Sequence, residues 1–336
     1  MGLRILAIES SCDDTSAAII HDGNILSNIV CNQSVHEKWG GVVPELASRA
    51  HLQNIVPTVK AALDLANTDL TTLDAVACTI GPGLVGSLLV GVNFTKSLSQ
   101  CLQIPFIGVN HMQAHILAHF IDDPKPSFPF LCLVVSGGHT QIVIVHDFFS
   151  FELVGETLDD AAGEAFDKSA KILQLPYPGG PLIDLLAKNG NSLAFEFAKP
   201  QIKNLDFSFS GVKTSILYFL QKKLTENPDF ITQNLNDLCA SIQKTIIDIL
   251  MQKLIKASKQ FNINEIAICG GVSANSLLRD ELSRIGNNKK WNTYIPKFEY
   301  CTDNAAMIAI TAHYKYLHGK FDTLDTLPLA RFNINS

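Results

Sequence analysis

The order of strand-like and helix-like segments occurs twice along this 336-residue chain, and that repetition restricts the fold more than any single residue does. Leu3 to Ile8 is a short apolar run that ends in the polar turn Ser10-Ser11-Cys12-Asp13-Asp14-Thr15. Ser16 to Ile20 is a second run, His21-Asp22-Gly23-Asn24 a second turn, and Ile25 to Val30 a third run. Apolar runs bounded by Gly, Asn and Asp clusters read as strands joined by turns. After Pro129 the pattern returns as Phe130 to Val135, Ser136-Gly137-Gly138-His139, Gln141 to Val145 and Phe151 to Val154. The later segments also match. Leu73 to Ile80 runs into Gly81-Pro82-Gly83-Leu84-Val85-Gly86 and a helical pattern to about Leu102. Ile263 to Cys269 runs into Gly270-Gly271-Val272-Ser273-Ala274-Asn275 and a helical pattern from Ser276 to Arg284. Pro105 to Val109 leads into one more helix, Asn292 to Pro296 into another near Asp303, and long helical stretches at Pro44 to Ala66 and Leu235 to Lys259 fill equivalent slots. Strand–glycine–helix units are common in α/β proteins, but the shared order across both halves favours duplication. The expected architecture is two α/β halves, 1–127 and 128–336, facing each other across an interdomain cleft, with an insertion at about 175–214 in the second.

Composition narrows the function. Charged residues are 17% of the chain and the formal net charge is −6, which speaks against broad adhesion to nucleic acid but leaves room for a local basic patch. The eight cysteines form no C-x-x-C pair, so zinc-ribbon and thioredoxin spacings are absent, and a reducing cytoplasmic compartment is expected. The apolar run after Met1 is too short for a signal peptide, Leu6 stands where a myristoylation signal wants Ser or Thr, and no stretch is long and apolar enough to cross a bilayer.

His111 and His115 lie four residues apart in a segment that reads as helix, so their imidazoles share a face. Two imidazoles aimed at one point suit a divalent transition metal. Asp303 opens the equivalent helix of the second half and is expected to supply a carboxylate from across the cleft. A His/His/Asp set leaves coordination positions open for substrate. An isolated H-x-x-x-H pair is more often incidental than a ligand pair, and Asp303 at the matching position tips the balance toward metal. His119 is a weaker candidate. A zinc protease would need Glu beside the first histidine, where Met112 stands.

The glycine turns point to a nucleotide. Ser136-Gly137-Gly138 can offer backbone N–H groups to a phosphate or carboxylate. Gly81-Pro82-Gly83 and Gly270-Gly271 each precede a helix whose N-terminus favours anions. The bland alternative is a turn that needs positive φ. No G-x-x-x-x-G-K-[ST] loop is present. Asp160, Glu164 and Asp167 share a helix face, which could be solvated or reach a ribose, and Asp184 follows the rigid turn Pro178-Gly179-Gly180-Pro181. Asn275 is either a helix N-cap or an adenosine contact. Glu9, Ser10, Asp13 and Asp14 make an acidic first turn better suited to handling a cation or a proton than to binding phosphate.

These runs together resemble the tRNA threonylcarbamoyladenosine transferase family. The resemblance rests on Glu9-Ser10-Ser11-Cys12-Asp13-Asp14-Thr15, Gly40-Gly41-Val42-Val43-Pro44-Glu45-Leu46-Ala47-Ser48-Arg49, Gly81 to Gly86, Val135-Ser136-Gly137-Gly138-His139-Thr140, Asp160 to Lys168, Phe207-Ser208-Phe209-Ser210-Gly211, Gly270 to Asn275 and Cys301-Thr302-Asp303-Asn304, in order along nearly the whole chain. It implies an actin/Hsp70/sugar-kinase-like fold and transfer of a threonylcarbamoyl group from threonylcarbamoyl-AMP to N6 of the adenosine 3′ of the anticodon, in tRNAs reading codons that begin with A. It implies metal ligation by His111, His115 and Asp303, with Fe2+ the usual ion and Zn2+ an alternative. Substrate contacts would fall on Val134, Val135, Ser136, Gly137, Gly138, Asp167, Gly180, Asp184 and Asn275. The implied partners are tRNA, a paralogous subunit of the same fold and a small P-loop ATPase. Gln113-Ala114 stands where relatives often have Glu-Gly, a change expected in the surroundings of the metal. Glu9 and Asp13 are general-base candidates by location only. A small-molecule kinase of the same fold and a silent scaffold are the alternatives, the first predicting ATP turnover without tRNA and the second indifference to loss of His111.

Overall fold

The computed structural model describes residues 2–33, 36, 39–200 and 202–335. In chain order the elements are β1 (Arg4–Glu9), β2 (Thr15–His21), β3 (Asn24–Cys31), α1 (Pro44–Leu65), β4 (Ala75–Gly81), α2 (Val85–Leu102), β5 (Phe106–Asn110) and α3 (His111–Leu117). There follow β6 (Phe130–Val135), β7 (Thr140–Asp147), β8 (Ser150–Glu156), α4 (Ala162–Ile172), α5 (Gly179–Ala187), α6 (Ser210–Glu226), α7 (Phe230–Gln233) and α8 (Leu235–Phe261). The chain closes with β9 (Glu265–Cys269), α9 (Ser276–Lys289), β10 (Asn292–Tyr294) and α10 (Ala305–Leu317). No helix among the described residues is long and apolar enough to cross a membrane.

The duplication is present in the sheets. One has the order β3-β2-β1-β4-β5 and the other β8-β7-β6-β9-β10. In each, a three-stranded antiparallel meander continues into two parallel strands. The central strands are covered on both faces, as parallel pairing with helical crossovers requires. Hence Ile5-Leu6-Ala7-Ile8 and Phe130–Val135 are unbroken apolar runs with no exposed surface. Each such Ile or Leu contributes about 1.5–3 kcal/mol relative to an exposed position.

The compact units do not coincide with the halves expected from the sequence. One unit is Met1–Lys125 with Pro296–Ser336, and the other is Pro126–Ile295. The expected break at 127/128 is close, but the last helix belongs to the first unit. The cause is apolar burial: Ala305 to Ala312 on α10 is buried throughout, and the helix packs on β1, β2, β3, β5 and α3. Its N-terminus is pinned to the sheet. Ala305 N donates to Ser16 Oγ at 2.8 Å and Ala306 N to Asn28 Oδ1 at 3.2 Å, while the Asn304 side chain caps Met307 N at 3.0 Å. These bonds satisfy donors that a helix start leaves without intrahelical partners.

The segment after α10 seals the first unit. Asp322 N donates to Phe106 O at 2.9 Å and Gly108 N donates to Asp322 Oδ2 at 2.8 Å, which covers the open edge of β5. Further on, Leu329 N donates to Ile80 O at 2.7 Å. Gly81 has φ +153°, and a Cβ there would lie 2.2 Å from Leu329 O, so only glycine lets the tail approach.

The second unit carries more inserted structure than the expected 175–214. Its α4, α5, α6 and α7 all lie between β8 and α8, and they share one core through Phe166, Ile183, Val212 and Ile231. Phe207 and Phe209, whose role the sequence left open, are fully buried and stacked with centroids 6.2 Å apart. Asp159 holds the start of α6 by accepting from Ser208 Oγ (2.6 Å), Ser210 Oγ (2.6 Å) and Phe209 N (2.8 Å).

Candidate metal centre and glycine turns

Asn110 fixes the helix that carries the histidines. Its side chain accepts from Met112 N (2.9 Å) and Gln113 N (3.3 Å), and its Nδ2 donates to Asn333 O at 3.0 Å. Helical spacing then stacks His111 and His115 on one face, with ring centroids 4.7 Å apart and planes at 86°. Asp303, in the turn before α10, presents Oδ1 at 3.3 Å from His111 Nε2 and 3.2 Å from His115 Nε2. One donor atom from each of the three residues lies within 4.8 Å of the others. All three residues belong to the first unit. The expectation that Asp303 reaches across from a facing half is therefore corrected: the chain returns to the first sheet before it delivers the carboxylate.

The second imidazole nitrogen of His111 is held from behind. His111 Nδ1 lies 3.0 Å from Glu9 Oε2 and 3.3 Å from Ser11 Oγ. Glu9 is fully buried at the end of β1, and its oxygens also accept from Ser11 N and Thr79 Oγ1, each at 2.5 Å. A carboxylate on the far nitrogen fixes the tautomer that leaves Nε2 free for an ion. Glu9 is thus a positioning residue with both oxygens engaged, out of place for the general-base role considered from the sequence. Gln113 points elsewhere, donating from Nε2 to Ile334 O at 2.8 Å, so the Gln113-Ala114 departure bears on the tail and not on the donor atoms.

The electrostatics follow from this packing. Burial alone would lower the His111 pKa, but Asp303 and Glu9 on either side raise it well above the ordinary value. Burial alone would raise Asp303 and Glu9, yet the charge and hydrogen bonds of His111 hold both below their ordinary values, Asp303 far below. Burial and the charge of His111 lower His115. Its buried Nδ1 has no partner among the described residues, whereas its Nε2 lies 3.2 Å from Asp303 Oδ1, which favours the tautomer that donates to the carboxylate. In the metal-free centre these shifts favour the charged form of His111 and the neutral form of His115. The Asp303 side chain is 27% exposed against 11% and 1% for the histidines, so access is from the carboxylate side. Two imidazole nitrogens and one carboxylate oxygen with an open side fit a divalent transition metal. On the neighbouring loop, burial and then the charges of Asp13, Asp303 and Glu9 push Asp14 up to about 7; Asp13 is partly exposed.

The glycine turns divide by unit. In the first, Gly83 N donates to Ala330 O (3.3 Å), Leu84 N donates to Ser11 O (2.8 Å), and a Cβ on Gly83 would lie 2.5 Å from Ser11 O. That turn is consumed by packing, so the anion-binding reading of Gly81-Pro82-Gly83 is withdrawn. In the second unit, Ser136 N donates to His139 O at 2.9 Å and His139 N to Ser136 Oγ at 3.1 Å. The amides of Gly137 and Gly138 have no partner among the described residues. Both glycines are exposed, neither has positive φ, and a Cβ on either would meet nothing within 4 Å. Nothing in the fold demands glycine there, which is what a close-lying ligand would explain. Gly271 is open in the same way, whereas Gly270 (φ +87°) packs on Val135 O.

The remaining expected contacts also fall in the second unit. Val134 and Val135 are fully buried in β6, so only their backbone is available to a ligand. Asp167 Oδ1 accepts from Gly179 N (2.8 Å) and Gly180 N (3.3 Å) at the start of α5, and burial raises its pKa. Asp184 accepts from Ser276 Oγ at 2.6 Å and from Ser276 N at 3.2 Å at the start of α9. Asn275 caps that same helix through Leu278 N (3.1 Å), with its Nδ2 on Gln243 Oε1 at 3.0 Å. Asp160 and Glu164 are paired with Lys168, each at 2.7 Å. Sequence reasoning missed the hold of Glu9 on His111 and the capping partners Ser16, Asn28 and Asn304. Asn directly before His111 and directly after Asp303 was the available signal, since both are helix N-caps.

Comparison with known proteins places the chain in a family and a fold. The family model described as tRNA N6-adenosine threonylcarbamoyltransferase (TsaD) matches residues 24–310. A protein of that name from Cytophaga hutchinsonii is 58% identical over 334 residues, covering 99% of this chain and 97% of its own length. One from Riemerella anatipestifer is 58% identical, covering 98% of each. Among solved structures, HypF from T. kodakarensis aligns with a TM-score of 0.64 at 12% identity, over 97% of this chain and 50% of that one. Component A of the Acidaminococcus fermentans (R)-2-hydroxyglutaryl-CoA dehydratase aligns at 0.54 and 14%, over 94% and 99%. Those two show the fold alone, which is the actin/Hsp70/sugar-kinase-like architecture that the family resemblance implied. On the length and identity of the sequence matches, the chain belongs to the tRNA N6-adenosine threonylcarbamoyltransferase family.

Proposed function

We propose that this chain transfers a threonylcarbamoyl group from threonylcarbamoyl-AMP to N6 of the adenosine 3′ of the anticodon in tRNAs reading codons that begin with A, releasing AMP. The observation that carries the reading is the His111–His115–Asp303 convergence, with Glu9 behind His111, in a chain of this family. The three residues would hold the ion, with Fe2+ the one the family resemblance implies and Zn2+ the alternative; two imidazoles and one carboxylate suit either. When bound, such an ion supplies Lewis acidity toward a carbonyl oxygen.

The residues of the chain do the rest. Glu9 keeps the Nδ1 proton of His111 in place, so that Nε2 faces Asp303. In the second unit, Gly137 and Gly138 offer unpaired amides to the phosphate or to the oxyanion that develops on the carbamoyl carbon. Asp167, Gly180, Asp184 and Asn275 hold adenosine, and Val134, Val135 and Ser136 shape the floor through their backbone. Asp184 and Asn275 already support a helix start, so their ligand role would be shared with that duty. Asp13 is the proposed proton acceptor for the attacking amine. The amine is a poor nucleophile, and positioning supplies much of the acceleration. The reading includes a cytoplasmic setting, a paralogous same-fold subunit and a small P-loop ATPase as helpers.

The test is reconstitution with the helpers, tRNA and threonylcarbamoyl-AMP radiolabelled in its threonine part. Label is expected in tRNA from wild type and absent with His115→Ala. Equal label from both would support the scaffold reading, and ATP turnover that ignores tRNA would support a kinase.

A further inference from the structure

The stretch 199–259 holds nine lysines against five acidic residues, in a chain whose net charge is −6. Part of that excess is concentrated where the segment before α6 lies along α8. Lys253 Nζ donates to Ile202 O (2.7 Å) and Asn204 O (3.0 Å), and Lys256 Nζ donates to the same Asn204 O at 3.0 Å. Two ammonium groups therefore meet on one carbonyl oxygen. Lys203, in the turn between those acceptors, is exposed. One helical turn and more toward the N-terminus of α8, Lys199 and Lys244 share Asp248 at 2.6 and 3.0 Å. Lys244 to Lys256 spans about 18 Å of helix at ~1.5 Å per residue.

Such crowding of like charge is unfavourable without a counter-charge. Burial and then the charge of Lys256 lower the Lys253 pKa, and Asp206 offsets this only in part. Asp206 is itself engaged, accepting from Glu156 N at 3.2 Å. Lys253 has one N–H left, Lys256 two, and Lys203 makes no hydrogen bond among the described residues. Exposed Lys203 and Lys256 beside half-buried Lys253, set along a rigid helix and the segment that crosses it, match a polyanion with regularly spaced charges better than a single small anion. At about one phosphate per 3.4 Å of strand, 18 Å faces roughly five nucleotides.

We propose that Lys203, Lys253 and Lys256, flanked by Lys199 and Lys244, form a docking surface for the phosphate backbone of the substrate tRNA. The proposal rests on tRNA being the acceptor and goes beyond it by giving this chain its own grip on the nucleic acid. Phosphate oxygens neutralise the excess charge and release counterions, so the contact contributes affinity and register without sequence preference.

The experiment uses the full chain and a fluorescently labelled tRNA transcript, with anisotropy titrations at several KCl concentrations. The triple variant K203E/K253E/K256E is expected to weaken binding at least tenfold. It should also flatten the slope of log K against log salt by about 2 to 3. K253R/K256R, which keeps charge and donors, should stay within twofold of wild type, as should K289E/K290E, a charge reversal elsewhere in the same unit. K203E alone, at a side chain that holds nothing in the fold, should lower the slope by about 1, a change that loosening of the 202–204 segment would not produce. A triple variant with wild-type affinity and slope overturns the proposal, as does an equal loss in K289E/K290E or a wild type with no affinity for tRNA. In the transfer assay, an unchanged KM for tRNA in the triple variant overturns the docking surface and leaves transfer standing. A wild type that binds tRNA through these lysines yet never labels it overturns the transfer reading and leaves the surface standing.

Discussion

The two units share one sheet topology and differ in the polar groups they leave at strand ends and helix starts. In both, a three-stranded meander whose last strand in the sheet order is central continues into two parallel strands. In the first, the turn after β4 is packed under the chain's own tail and the donor atoms are imidazole and carboxylate. In the second, the turn after β6 leaves two amides unpaired and two glycines open. A duplicated scaffold fixes where side chains can converge, at the ends of strands and the starts of helices. Which atoms are left unsatisfied there decides what each copy can bind. The comparison teaches that a glycine-rich turn at a strand end can be a packing device in one unit and a candidate ligand cradle in the other.

The sharpest way to break this division is to remove a metal ligand. His115→Ala or Asp303→Ala should abolish stoichiometric metal, measured by elemental analysis of the purified chain, and reduce transfer by more than about 100-fold, since loss of a ligand exceeds the 10–100-fold typical of its supporting partners. Gly137→Val in the second unit should leave metal content unchanged while weakening donor binding. If Gly137→Val also empties the metal centre, the two units do not hold separate roles. Next in size is Glu9→Gln. The amide cannot accept the Nδ1 proton of His111 as strongly, and metal affinity should fall about 10–100-fold with the fold intact. Unchanged affinity would show that Ser11, at 3.3 Å from the same nitrogen, suffices to orient the ring.

How much of this was legible in the sequence differs between the units for physical reasons. Helical spacing placed His111 and His115 on one face, and that holds because the rule is local. The assignment of Asp303 to the opposite half failed because it extrapolated the repeat to the last helix. Ala305 to Ala312 reads as apolar wherever it packs, and no local pattern says which sheet it covers. The partner of His111 was within sight, since Glu9 was singled out, but its role was misjudged: a fully buried carboxylate and an exposed one look alike in sequence. The glycine turns carried equal weight as motifs. Only the nearest atoms to an absent Cβ separate Gly83, which Ser11 crowds, from Gly137, which nothing crowds.

That contrast predicts opposite responses to adding one methyl group. Gly163→Ala places a Cβ 2.6 Å from Ser136 O and 2.8 Å from Gly137 Cα, both backbone atoms, and Gly83→Ala places one 2.5 Å from Ser11 O. Each should destabilise by about 1–3 kcal/mol in denaturant titration, because backbone cannot step aside cheaply. Gly137→Ala should change stability by less than about 0.5 kcal/mol, as surface substitutions do, and should raise the KM for the adenylate donor. Equal destabilisation by Gly137→Ala and Gly163→Ala would remove the distinction between a packed and an open glycine.

The smallest effect is on pH dependence and concerns the first unit in its metal-free form. The folded His111 pKa is raised, so its contribution to stability is complete below the unfolded value of about 6.5 and drains away as pH climbs through the folded value. Glu9 and Asp303 are lowered, so theirs is complete above about pH 4.5 and fades as pH falls through their folded values. The gap in melting temperature between chelator-treated wild type and His111→Gln should therefore be widest between about pH 4.5 and 6.5 and narrow toward pH 9. His115 is lowered and remains in both proteins, so its own loss of stability at acid pH largely cancels in the difference. Metal affinity should run the other way and strengthen with rising pH, since the ion competes with the His111 proton for Nε2. A gap that widens steadily up to pH 9 would mean that His111 is neutral in the folded protein, and the stored charge between Glu9 and Asp303 would have to be given up.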